Sequence, residues 1–253
     1  MLYHCCVFFL GMGLLTLASC AGSVDPADVA DAEAARLQAM ADSIAALPRA
    51  QVQIETRYGS MTIELFNETP LHRDNFVEKV KTGFYDSLLV HRVQPNFMAQ
   101  GGDPDSKGEV PPDQFLGTKQ LTYTIPAEIQ SGFILRHGAV CGFHNNHPEK
   151  ASHGSQFMLI HGQPLRTYQV KQVGLDKNRV YTPEELATYE QYGGLPQHDG
   201  KYTVFGQVIE GDKILDQIVY APTLRSTNPS LPDRPIEDIR LQMTLLRDVP
   251  GAL

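Results

Sequence analysis

From residue 51 onward the chain is cut by Gly, Pro and Asn into short apolar segments, few of them long enough for a helix. That punctuation limits the fold more than any other feature. Val52, Ile54 and Thr56 alternate with polar neighbours, Tyr58-Gly59-Ser60 turns the chain, and Met61, Ile63 and Leu65 alternate again, which predicts a β-hairpin. Further strands are expected at 89–92, 97–100, 139–143, 156–160, 204–208 and 239–245. Thr69-Pro70 supplies an N-cap and first position for a helix that buries Phe76, Val77 and Val80 and stops at Gly83. Many short strands with a helix or two suggest a closed antiparallel barrel, because closure removes exposed edges. Residues 162–196 interrupt the strands as a polar excursion, in which Thr182 and Glu185 form a capping box and Gly193-Gly194 ends the helix.

Ahead of this region, residues 7–18 (VFFLGMGLLTLA) make an apolar run of about a dozen, short of the about 20 that a transmembrane helix needs. The run leads into Leu17-Ala18-Ser19-Cys20, which resembles the lipobox of bacterial lipoprotein signal peptides, although residues 1–6 carry no Lys or Arg. The resemblance implies a signal peptide over 1–19, lipid such as palmitate on Cys20, and a lipid-anchored place in the bacterial cell envelope, on the periplasmic face or the cell surface. Two lipid chains hold a protein on a membrane stably, whereas one is marginal. Cys5 and Cys6 leave with the signal, so Cys141 is the remaining thiol and no disulfide can form within the mature chain.

Residues 20–50 read as an acidic helical tether. Asp25-Pro26 starts it, Leu37, Met40, Ile44 and Leu47 recur at spacings of three and four, and Pro48 stops it. Such a stripe serves as a spacer or as a self-association helix. The net charge of −8 argues against nucleic acid as a partner, since counterion release needs a basic surface, and against polybasic docking on anionic lipid.

The stretch HRVQPNFMAQGGDP, residues 91–104, places an arginine, a Phe-Met pair and a glutamine ahead of a Gly-Gly-Asp-Pro turn. Together with the preceding Phe84-Tyr85-Asp86 and Leu88-Leu89-Val90, it resembles the signature of cyclophilin-type peptidyl-prolyl cis-trans isomerases. Three further blocks follow in the family's order: Tyr123-Thr124-Ile125-Pro126-Ala127-Glu128, then Gly154-Ser155-Gln156-Phe157, then Thr203-Val204-Phe205-Gly206-Gln207-Val208-Ile209-Glu210-Gly211. The likeness covers about four-fifths of the chain. It implies a mainly β, closed eight-stranded antiparallel barrel capped by helices at 70–82 and 212–220, an isomerase domain over 51–248 with the 162–196 insertion, and a tail over 249–253.

The expected chemistry is rotation about X-Pro bonds in polypeptide clients, which breaks amide resonance against a barrier of about 18–20 kcal/mol. No proton need leave and no covalent intermediate forms, so no cofactor is expected. By resemblance, Arg92 is the catalytic residue, donating a hydrogen bond to the prolyl nitrogen as it becomes pyramidal. Phe97 and Met98 match walls of the proline pocket, and Gln100 and Gln156 match groups that bond the substrate backbone or orient the arginine. Taken singly, Phe97 and Met98 would suit a core and Arg92 a solvated surface. The motif reverses both readings.

His91, Phe143, His144, Met158, His198 and Tyr202 complete the expected substrate-binding set, and several depart from the family's pattern. Met158 stands where a pocket phenylalanine is usual, which softens the wall. Phe143 and His144 replace a small residue followed by Asn or Arg, so that Phe143 narrows the neighbouring pocket. His198 takes the place of a leucine, and Tyr202 that of a histidine. These departures leave a second reading open, a non-catalytic module that binds proline segments or acts as a chaperone. His144, His147, His153 and His161 could supply imidazoles, but no Cys or carboxylate completes a set, and no metal is expected. A nucleophile elbow is missing as well, because Gly154-Ser155-Gln156 lacks the required flanking glycine.

Overall fold

The computed structural model describes residues 26–119 and 121–249; the expected signal peptide over 1–19, Cys20, the start of the expected tether and the last four residues lie outside them. A first compact unit ends at Met40 and a second runs from Ala41 onward. Helix α1, Pro26–Ala45, forms as its proline start and apolar spacing predict, with Leu37 and Met40 exposed. Within the second unit, Asn67 Nδ2 donates to the carbonyls of Ile44 and Leu47 at 3.3 and 3.0 Å, tying down the chain just ahead of the sheet.

The strands are β1 (Gln51–Thr56), β2 (Gly59–Leu65), β3 (Val90–Gln94), β4 (Met98–Gly101), β5 (Thr124–Ile125), β6 (Ala139–Gly142), β7 (Ser152–His153), β8 (Phe157–Ile160), β9 (Val204–Glu210) and β10 (Gln242–Arg247). Eight of them form one antiparallel sheet in the order β10-β1-β2-β9-β6-β8-β4-β3, while β5 and β7 pair separately. Residues Val52, Ile54, Met61, Ile63 and Leu65 point inward by the period of two and are buried. They share a core with Phe76, Val77 and Val80 of α2 (Pro70–Lys81) and with residues 215, 218 and 219 of the later helix over 212–219. Each such full burial contributes about 1.5–3 kcal/mol.

The expected closed barrel does not form; the sheet is a curled half-barrel. Its outermost strands, β3 and β10, are not paired as a ladder. The free edge of β3 instead meets an irregular segment, with Val93 N–H donating to Asp233 O at 2.9 Å and Val90 N–H to Ile239 O at 2.8 Å. Pro232 and Pro235 punctuate that segment, and proline has no N–H with which to continue a ladder. The edge is covered without being closed.

Two local expectations also change. Thr69 occupies the N-cap of α2, but its hydroxyl makes no cap bond. The Glu128 carboxylate satisfies that helix end from a distant loop, accepting from Leu71 N–H and His72 N–H at 2.9 Å each. The insertion holds two helices rather than one: α3 (Thr167–Lys177) and α4 (Pro183–Gln191). The capping box of α4 forms as expected, with Thr182 Oγ1 accepting from Glu185 N–H and Glu185 Oε2 accepting from Thr182 N–H. After α4, Gly194 passes so close to the chain before β6 that a Cβ there would lie 2.4 Å from Leu135 O. The fold continues with α5 (Asp212–Val219) and a short α6 (Leu224–Thr227).

Candidate active site

A row of side chains crosses four strands on the outer face of the sheet. Arg92 of β3 stands opposite Gln100 of β4, Gln100 opposite Met158 of β8, and Met158 opposite Cys141 of β6. Alternation sends Ala99, Phe157 and Leu159 into the interior core and Met98, Met158 and Ile160 into a second cluster on the other face. Register alone therefore gathers residues that are far apart in the chain.

The polar half of the row is closely specified. Gln100 Nε2 donates to Gln156 Oε1 at 2.8 Å, and Gln156 Nε2 donates to the carbonyls of Gly117 and Lys119 at 3.2 and 2.6 Å. Gln100 Oε1 is buried and has no donor among the described residues, which leaves an acceptor for an incoming N–H. Arg92 is partly exposed, its Nη2 donating to Gln94 Oε1 at 3.2 Å and its Nε lying 3.8 Å from Asp233 Oδ2. Asp233 in turn accepts from Gln94 Nε2 at 2.9 Å and from Arg225 Nε at 2.6 Å. The guanidinium is thus held from one side. Together with His91, Gln100, Phe115, Phe143 and Asp233, it lines a cavity of about 270 Å³.

The apolar half is differently arranged from the expected open pocket. Met98 and Met158 are 0% and 3% exposed and lie beneath Phe97, Phe143 and Tyr202, which pack on their cluster. The Phe97 ring is 5.5 Å from the His198 ring, His198 is 6.3 Å from Tyr202, and Tyr202 is 4.7 Å from His144. Burial first, then Lys201 and Lys177, lowers the pKa of His198, so a neutral imidazole faces Phe97 at pH 7. His144 serves its own loop: Nε2 donates to Lys201 O at 2.8 Å and Nδ1 accepts from His147 N–H at 3.3 Å. Phe143 stands edge-on to His153 at 5.3 Å and walls the cavity beside Arg92. Gln94, Phe115 and Asp233 were not foreseen from the sequence. Asp233 reaches the site only because the C-terminal segment crosses the edge of β3.

His91 lies under the site rather than facing clients across it. It is buried and, among the described residues, neither ring nitrogen meets a well-formed hydrogen-bond partner. Burial, reinforced by the adjacent Arg92 charge, lowers its pKa to about 3. The unfolded chain, with an ordinary histidine near 6.5, therefore takes up this proton first as pH falls. Stability from the neutral ring is complete above about pH 6.5 and is lost toward about pH 3. Urea unfolding at the two pH values should show a loss of about 2 kcal/mol from this residue between pH 6.5 and 5. A His91→Asn variant should lack that part of the slope, and an unchanged slope would refute the assignment.

Comparison with known proteins bears on the family and the fold. The family model for cyclophilin type peptidyl-prolyl cis-trans isomerases matches residues 51–243. A Staphylococcus haemolyticus protein provisionally named a peptidyl-prolyl cis-trans isomerase is 32% identical over 200 residues, 78% of this chain and 91% of the relative. A similarly named Staphylococcus aureus protein is 31% identical over 193 residues, 76% of this chain and 89% of the relative. Among solved structures, a Cryptosporidium parvum cyclophilin-type isomerase superposes with a TM-score of 0.57 at 22% identity, covering 79% of this chain and 99% of that one. The same isomerase in the presence of the dipeptide Ala-Pro gives a TM-score of 0.54, covering 78% and 99% of the two chains.

Proposed function

This chain belongs to the cyclophilin-type peptidyl-prolyl cis-trans isomerases, and on that premise we propose that Arg92 drives X-Pro rotation in a groove formed by the Arg92–Gln100–Met158 row. The observation that carries the reading is the register itself, which sets a charged donor and two mutually bonded amides beside an apolar surface. In the planar ground state the prolyl nitrogen shares its lone pair with the carbonyl and accepts poorly. As the bond twists, the lone pair localises, and a guanidinium N–H bonds it more strongly in the transition state than before. Gln94 and Asp233 hold the guanidinium against rotation, so that less ordering is needed when substrate arrives. Gln100 Oε1 accepts a backbone N–H of the client, and the Phe97 ring over the buried methionines carries the pyrrolidine ring.

Bringing tens of seconds down to milliseconds needs about four decades, roughly 5–6 kcal/mol. A charge-assisted hydrogen bond with ring positioning is of that order. The test is exchange NMR on a short X-Pro peptide with catalytic amounts of the protein. Acceleration by orders of magnitude supports the reading. A folded protein that binds the peptide and leaves exchange unchanged would establish instead the non-catalytic proline-binding or chaperone module, which the His198 substitution and the covered methionines favour.

The clients are proposed to be proline-containing polypeptides of the cell envelope, reached from a lipid on Cys20. The sequence around that cysteine supports this. Cys20→Ala should move the protein from the membrane to the soluble fraction, and a protein that stays membrane-bound after the change would remove Cys20 as the anchor.

A further inference from the structure

Behind the groove wall, three side chains from separate parts of the chain converge: His137 before β6, His161 after β8 and Asp216 of α5. Their candidate ligand atoms all lie within 4.8 Å of one another. We propose that they form a binding site for a divalent first-row transition metal of the zinc class, with two imidazoles, one carboxylate and a solvent position.

The hydrogen bonds around the cluster prepare it for that role. His137 Nδ1 lies 2.8 Å from His161 O, and because a carbonyl can only accept, Nδ1 carries the ring proton. In the neutral ring of that tautomer, Nε2 of His137 carries the lone pair. Fixing a metal-binding histidine through its other nitrogen to a backbone carbonyl is the usual outer-shell arrangement in metal sites. His161 Nε2 is already 3.2 Å from Asp216 Oδ1. Tetrahedral zinc, with bonds of about 2.0–2.1 Å, sets adjacent ligand atoms about 3.4 Å apart. That pair is spaced for a shared ion, and the ligand atom of His137, which is only partly buried, lies within 4.8 Å of both.

Without metal, His161 Nε2–H donates to the carboxylate. On binding, the Nε2 proton is given up and one is taken at Nδ1, which frees the Nε2 lone pair for the metal, so the imidazole stays neutral and the proton count is unchanged. Nδ1 of His161 is buried and has no hydrogen-bond partner among the described residues. Asp216 is exposed, which gives an ion an entry path.

The site is also coupled to the groove. His161 N–H and Gly162 N–H both donate to Phe97 O, at 2.9 and 3.2 Å, so a ligand on His161 is one hydrogen bond from the Phe97 wall. The histidines singled out in the sequence include His161 but not His137. His144 and His147 bond one another in their own loop.

The test titrates the full-length protein with Zn²⁺ by calorimetry, and with Co²⁺ by visible absorption as a report of ligand geometry. The expected result is binding at this site with a low-coordinate Co²⁺ spectrum, and affinity about 10–100-fold weaker in both His137→Ala and Asp216→Asn. Asp216 is exposed, so Asp216→Asn retains the fold if His137→Ala does not. Failure to bind either metal, or binding unaffected by Asp216→Asn, overturns the proposal. The second result would place the metal on other histidines or cysteines of the chain.

Discussion

Arg92→Ala is expected to lower kcat/KM for X-Pro isomerisation by about 10²–10³-fold, the cost of removing one preorganised donor from a developing charge. Peptide affinity should fall much less, because the bond strengthens only as the nitrogen becomes pyramidal. Exchange NMR separates the two, by line shape for turnover and by shift titration for binding. Asp233→Ala provides the companion measurement. It leaves the guanidinium present but removes the carboxylate that Gln94 and Arg225 also share, so activity should fall by a smaller factor while peptide affinity changes little. An Arg92→Ala protein that turns over normally would dismiss the mechanism and leave the family assignment untouched.

The second large effect concerns stability. Asp199 is buried in a polar knot that ties the insertion to the groove. Its Oδ1 accepts from Leu135 N–H at 2.7 Å, and its Oδ2 accepts from the Tyr181 and Tyr189 hydroxyls at 2.9 and 2.7 Å. Tyr181 and Tyr189 also make the small apolar cluster of the insertion with Val170 and Ile134. Asp199→Ala removes one acceptor group and strands two buried donors, Leu135 N–H and the Tyr189 hydroxyl, while the Tyr181 hydroxyl keeps Pro196 O at 3.1 Å, at a cost of about 3–5 kcal/mol. Asp199→Asn keeps an acceptor and should lose less. Urea unfolding followed by circular dichroism measures both. Because His198 and Tyr202 flank this residue, the folded fraction of Asp199→Ala should also show altered peptide binding. Equal midpoints for the variant and the parent would mean that the knot carries no stability.

These expectations differ in how they came to be visible. The hairpin 51–65, helix α2 and the capping box at Thr182 were legible because each is written in local periodicity or in a local cap, whereas helix α5 was expected from the family resemblance. Helix α3 was not legible. It buries only Val170 and Gly174, exposes Tyr168 and Leu175, and carries a glycine mid-helix. That glycine is required because a Cβ would lie 2.5 Å from Arg179 O, a contact that no spacing rule contains. The closed barrel was inferred from strand count and edge avoidance. It failed because a proline-punctuated segment covers the β3 edge without pairing along it as a strand.

The sequence by itself determined which short segments become strands and helices, and its ordered motifs pointed to the family and to Arg92, Phe97, Gln100 and Gln156 as neighbours. Both follow from short-range physics: side-chain alternation along a strand, capping at a helix end, and residue types that travel together in a motif. Only the tertiary structure decided that Asp233 holds the arginine, that Met98 and Met158 lie beneath a ring of Phe97, Phe143 and Tyr202, and that His137 meets His161 and Asp216. Those contacts reach across the chain, Asp233 lying 141 residues from Arg92 and His161 lying 24 from His137. Their geometry is set by strand register and by the path of irregular chain over a sheet edge, neither of which leaves a periodic mark on the sequence.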